Sequence, residues 1–154
     1  MSISSEITWL LVVAGWGLTH VFSEARERRK EMRAQLDKLY ELLFAIEKDA
    51  RSFHRSECFD IVKASELILK LNTFERILTR ILFVDNFIQN IIQLRRSITL
   101  YNFDLSIFSQ QALDCDILHK IISACEDFED AIEQYYLRKY PHTFPYIRFW
   151  LDQK

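Results

Sequence analysis

From Ile7 to Ser23 the chain carries seventeen consecutive residues without a charged side chain, and beyond Glu24 its apolar positions recur with a helical period. Counting alternately four and three from Met32 meets Leu36, Leu39, Leu43, Ile46, Ala50 and Phe53. That is the 3.5-residue repeat of coiled-coil-like helices packed side by side. Run backward, the same count meets Arg29, Ala25, Phe22, Leu18, Gly15 and Leu11, so one stripe continues into the uncharged run and is interrupted only at Arg29. Tyr40, Leu42 and Phe44 widen it toward the broad face of a helix inside a bundle.

A turn is expected around "SFHRSE", where Ser52 and Ser56 can cap, followed by a short helix over about Cys58 to Leu71. Asn72 or Thr73 then opens a long helix with Phe74, Ile77, Ile81, Val84, Ile88, Ile91, Arg95 and Ile98 on the heptad count, flanked by Leu78, Phe87, Leu94 and Tyr101. Its stretch "ILFVDNFIQNIIQL" is too short and too polar for a membrane span, with fourteen residues that include Asp85, Asn86, Gln89 and Asn90. The polar "YNFDLS" ends this helix, and Ser106 or Asp114 starts the last one. That helix has Leu118, Ile121, Cys125, Phe128, Ile132 and Tyr135 in register, and Pro141 stops it. No glycine or proline occurs between Leu18 and Tyr140, so the residues that break helices and make hairpins are missing and an all-α fold follows.

The uncharged run reads as a membrane segment. At ~1.5 Å per residue it reaches ~25 Å, close to a hydrocarbon core of about 30 Å. Trp9 and Trp16 supply interfacial rings, and Gly15 and Gly17 with Ala14 give a small-residue face. His20 lies toward the headgroup end. A secretory signal has its positive charge ahead of the apolar run; here Glu6 precedes it and Arg26, Arg28, Arg29, Lys30 and Arg33 follow. That order argues against cleavage. It puts the N-terminus outside and the body in the cytoplasm of a single-pass inner-membrane protein. The same basic collar can meet anionic headgroups, discounted for Glu24, Glu27 and Glu31 among its members. The expected architecture is one transmembrane helix (1–23) continuing into an antiparallel cytoplasmic bundle of about four helices, one short (24–140). An aromatic tail (141–154) with Phe144, Tyr146, Phe149 and Trp150 packs back on the bundle.

Composition narrows the function more than it identifies it. With 154 residues, 49% of them hydrophobic and 27% charged, the chain suits one packed domain. A formal net charge of -2 gives no general case for nucleic-acid binding, and Arg95-Arg96 reads as an ion-pairing site on a helix face. Cys58, Cys115 and Cys125 lack CxxC spacing and read as buried thiols in a reducing compartment. No GxSxG-like nucleophile setting occurs, and no glycine outside the apolar run could cradle a phosphate. The Arg-to-His spacing of HEPN ribonucleases is approached only by Arg138 and His142, which Pro141 interrupts. His20, His54, His119 and His142 never complete the Glu-x-x-His pairs of bundle metal sites. These features point to a non-enzymatic protein without cofactor, metal or small-molecule substrate.

What is left is interaction. Glu126, Asp127, Glu129, Asp130 and Glu133 make one side of the last helix acidic, a face for a basic partner or for the basic collar. The leading expectation is a membrane protein whose bundle binds a protein partner or itself, touching membrane lipids but no nucleic acid directly. The alternative starts from Gly15-Trp16-Gly17 and His20, unusual in a passive anchor. A short N-terminal span joined to a helical domain resembles effectors of bacterial anti-phage defence systems. That resemblance implies a membrane-permeabilising action held in check, or assembled, by the bundle.

Overall fold

The computed structural model describes residues 3–82 and 86–140, with side chains from Thr8 onward. Within them the chain is all-α, with four helices and no strands: α1 (Ile3–His54), α2 (Ile61–Ile81), α3 (Ile88–Thr99) and α4 (Asp116–Lys139). It divides into two compact units, Met1–Leu36 and Asp37–Lys154. The expected tail packing over 141–154 lies outside the described residues, as does Val84.

The expected membrane span is not supported. Among the described residues no helix is long and apolar enough to cross a membrane. The physical reason is dilution: Thr8, Gly15, Gly17, Thr19, His20 and Ser23 thin a run of only seventeen uncharged residues, where spanning asks for about twenty predominantly apolar ones.

In the second unit the helices bury one stripe each. On α1, Leu39, Leu43, Ile46, Ala50 and Phe53 are buried, as is Leu36 at the end of the first unit. Phe44, read as widening that stripe, is instead 67% exposed. The second unit's core has two aromatic foci. Phe74 of α2 meets Phe128 of α4 edge-on at 5.2 Å, and Phe87 contacts both Phe128 and Tyr135. At the other focus Phe53 gathers Phe59, Phe103 and Phe108 within 5.0–5.6 Å. Each fully buried phenylalanine contributes about 1.5–3 kcal/mol from apolar area removed from water.

Polar side chains clamp the helices at the rim. Lys70 pairs with Asp49 between α2 and α1. The Arg95 guanidinium of α3 donates to Glu75 Oε1 and Asn72 Oδ1 of α2 at 2.7 Å each. Gln93 donates to Asp127, and Tyr40 donates to Glu133 at 3.1 Å. Gln93 faces Asp127 while Tyr101, further along the chain, lies under Lys120, earlier in α4, so α3 and α4 run antiparallel.

Two boundaries differ from expectation. The turn after α1 is closed by Ser56, whose hydroxyl donates to the Phe53 carbonyl, but the next helix is capped by Asp60 rather than begun at Cys58. The Asp60 carboxylate accepts from the Val62 and Lys63 amides. Its pKa is lowered, chiefly by the Lys63 amide bond. The second difference is that α2 runs through Asn72 and Thr73 without a break, so the short helix is α3, with 12 residues, and not α2, with 21. Leu71 and Phe74 are both buried, holding the helix in phase across a polar pair that costs only a few tenths of a kcal/mol in propensity. Helix α2 ends at its cap Leu82, which is extended at φ -125° and ψ 159°, and α3 begins after Phe87. The break also shifts the stripe. Leu78, Leu82, Phe87 and Leu94 are core, while Ile77 and Ile91 are half-buried and Ile88 is exposed.

Candidate interaction surfaces

In the first unit the large apolar side chains from Trp9 to Phe22 are uncovered. Trp9, Leu10, Leu11, Val12, Val13, Trp16, Leu18, Val21 and Phe22 are all exposed, none by less than 49%. Soluble single chains seldom leave so continuous an apolar surface in water. Trp16 stacks on His20 with ring centroids 6.0 Å apart and planes 7° from parallel, and the Thr19 hydroxyl donates to the Gly15 carbonyl. That bond returns the hydroxyl's hydrogen-bonding capacity to the helix itself, which lowers the cost of placing it in an apolar medium. A Cβ built on Gly15 or Gly17 would meet nothing within 4 Å, so neither glycine is required by packing within the described chain.

The basic collar follows on the same helix. Arg28 pairs with Glu24 at 2.6 Å and Lys30 with Glu27 at 2.9 Å, both on the solvent-exposed surface. Such exposed pairs are worth less than about 1 kcal/mol and exchange readily for other anions. Arg26 and Arg29 are exposed, and Arg33 is half-buried.

A second surface lies within the second unit, in a groove between α1 and α4. Asp37, Glu41 and Glu47 line one wall, Glu126 and Glu129 the other, and the exposed Phe44 ring stands among them. Cys125 lies at its base. Its thiol is pushed up to about 12, first by burial and then by Glu47, Glu126 and Glu129. It is an unreactive core thiol. Of the five acidic residues singled out on α4, Asp127 and Glu133 already bond to Gln93 and Tyr40. Glu126, Glu129 and Asp130 are exposed. Among the described residues no group of His, Cys, Asp and Glu side chains is arranged to hold a metal ion. The packing residues Leu36, Leu39, Leu43 and Ile46 stand apart from both surfaces as buried core. Arg95 is an ion-pair partner of Glu75.

One site escaped the sequence reading. His54 is fully buried at the end of α1, with Nε2 3.1 Å from the Ile98 carbonyl and Nδ1 3.3 Å from Asn102 Nδ2. A carbonyl only accepts and an amide nitrogen only donates, so the ring is neutral with its proton on Nε2. Asn102 holds φ +55°, a left-handed conformation that asparagine tolerates better than most residues. Its amide embraces Ser109, accepting from the Ser109 N–H and donating to the Ser109 carbonyl. The Gln111 amide returns to the His54 carbonyl at 2.9 Å. The chain between α3 and α4 is thus stapled to the end of α1. No spacing motif marks this arrangement, because its members lie 48 residues apart.

No protein-family model, no curated protein and no solved structure matches the chain.

Proposed function

We propose that this protein is a non-enzymatic, membrane-tethered interaction module. Lipid takes up the apolar first unit, the bulk of the chain lies on the cytoplasmic side, and the helical bundle engages a basic protein partner or another copy through the Phe44 groove. The observation that carries this reading is the uncovered apolar surface from Trp9 to Phe22. Water penalises each exposed large side chain by roughly 1.5–3 kcal/mol relative to burial, so the segment gains by entering an apolar phase. The acid-lined groove with one exposed aromatic supports the second half: an apolar anchor point inside a ring of like charge suits a cationic, partly apolar partner.

The test is flotation of the full chain with membranes on a density gradient, beside a Leu11→Lys, Leu18→Lys variant. The unaltered chain floats and the variant stays at the bottom. A variant that floats equally well refutes the tether.

A second reading, a membrane-permeabilising effector, is favoured by one feature: the open space around Gly15 and Gly17, which lets a second helix approach closely. It requires loss of membrane potential on expression of the full chain, abolished by Gly15→Leu. The tether reading requires no such loss.

A further inference from the structure

The uncharged run and the basic collar are two-sided, and their sides match. At about 100° per residue, Leu10, Leu11, Ala14, Leu18, Val21 and Phe22 fall in one half of the helix. The other half holds all the polar side chains of the run, Thr8, Thr19, His20 and Ser23, together with Trp9, Val12, Val13 and Trp16. Continued through the collar, the same count places Arg28, Arg29 and Arg33 in line with the apolar half, and Glu24, Glu27 and Glu31 away from it. Arg28 and Arg29 are exposed, and Arg28 pairs with the exposed Glu24. A helix with this pattern can lie in the plane of a bilayer, its apolar half among the acyl chains and its arginines on the headgroups.

We infer that the first unit docks lengthwise on an anionic lipid surface rather than crossing it, resting on the tether reading above. Three observations converge. No described helix is long and apolar enough to cross a membrane. The polar groups of the run share a side, and its polar tips include the stacked Trp16–His20 pair. Three of the five cations extend the apolar half without a glutamate among them, while Arg26 and Lys30 share the opposite side with Glu24, Glu27 and Glu31. The ligand chemistry is that of phosphate-bearing, negatively charged lipid headgroups, which arginine forks pair bidentately.

Two measurements on the full chain decide this. The first is co-sedimentation with phosphatidylcholine vesicles, with or without phosphatidylserine. A net of about two collar charges predicts roughly 30-fold tighter binding to the anionic vesicles at low salt, falling as salt is raised. Arg29→Gln with Arg33→Gln should lose most of that preference, whereas Arg26→Gln with Lys30→Gln, an equal charge change on the other side, should retain it. The second is quenching of single-tryptophan variants by lipids brominated at different depths. Trp16→Phe with Trp150→Phe leaves Trp9, and Trp9→Phe with Trp150→Phe leaves Trp16. Lengthwise docking holds both rings at one level on the side turned away from the acyl chains, so both are weakly and equally quenched; a crossing helix separates them by about 10 Å, seven residues at 1.5 Å each. Unequal depths, equal binding to neutral vesicles, or equal loss from both charge pairs would overturn lengthwise anionic docking while leaving the tether intact. Binding to neither vesicle would remove the tether as well.

Discussion

Protonating His54 should unlatch the bundle. The ring sits with no exposed surface between the Ile98 carbonyl and the Asn102 amide nitrogen, edge-on to Phe53 and tilted against Phe103. A second ring proton on Nδ1 would face Asn102 Nδ2, donor against donor. Asn102 cannot turn its oxygen inward without losing its 2.7 Å and 2.9 Å bonds to Ser109. Burial therefore lowers the His54 pKa, opposed only in part by the Ile98 carbonyl. The sign follows. The unfolded chain takes up this proton at an ordinary pKa of about 6.5 and the folded chain only at lower pH, so stability is complete above that value and falls as pH drops below it. The slope is at most about 1.4 kcal/mol per pH unit, and between pH 7.5 and 5.5 the loss integrates to at most about 1.4 kcal/mol. Urea unfolding at the two pH values, for the unaltered chain and for His54→Gln, isolates this histidine from His20, His119 and His142. The stability difference between the two proteins should shrink toward pH 5.5, by no more than that amount. A difference independent of pH, or a His54 imidazole titrating above 6.5 by NMR, would refute the latch geometry.

Other consequences can be measured alongside. At Asn102, alanine should destabilise more than glycine by about 1–2 kcal/mol, because both lose the Ser109 bonds but only alanine meets the left-handed backbone penalty; equal losses in urea unfolding would contradict the +55° backbone. Phe128→Ala, at the contact of Phe74 and Phe87, should cost about 3–5 kcal/mol and bring the unfolding midpoint down accordingly. Arg95→Ala removes a partly exposed bridge from α3 to Glu75 and Asn72, so its cost is held to about 1 kcal/mol by solvent screening. With its thiol near 12, Cys125 carries on the order of 10³-fold less thiolate at pH 7.5 than an ordinary cysteine. It should stay unlabelled by disulfide reagents in the folded chain while exposed Cys58 reacts.

Local chemistry was enough for the helical class. A chain without glycine or proline between Leu18 and Tyr140 has nothing to make hairpins from, and the four-three spacing from Leu36 to Phe53 marks a face that one register can bury. The same spacing failed between Asn72 and Tyr101. Two helices joined by a short break can share a repeat on paper while presenting different residues to the core, and only the packing of Phe74 and Phe87 against Phe128 selected Leu78 over Ile77. Phe44 shows the converse: its place beside the seam said apolar, but the neighbouring helices leave it at the rim of an acidic groove.

The uncharged run was legible as apolar, and its collar as basic, from residue type alone. Whether such a run crosses lipid depends on length and on how polar groups are distributed around the helix, and linear hydropathy averages over the second. The His54–Asn102 latch was out of reach for a different reason. Its hydrogen bonds join residues far apart in the chain, and a buried polar pair leaves no periodic trace. Periodicity and composition determine which elements form; the match of donor to acceptor across long separations, and the choice of which apolar neighbour fills the core, arise only when the helices close on one another.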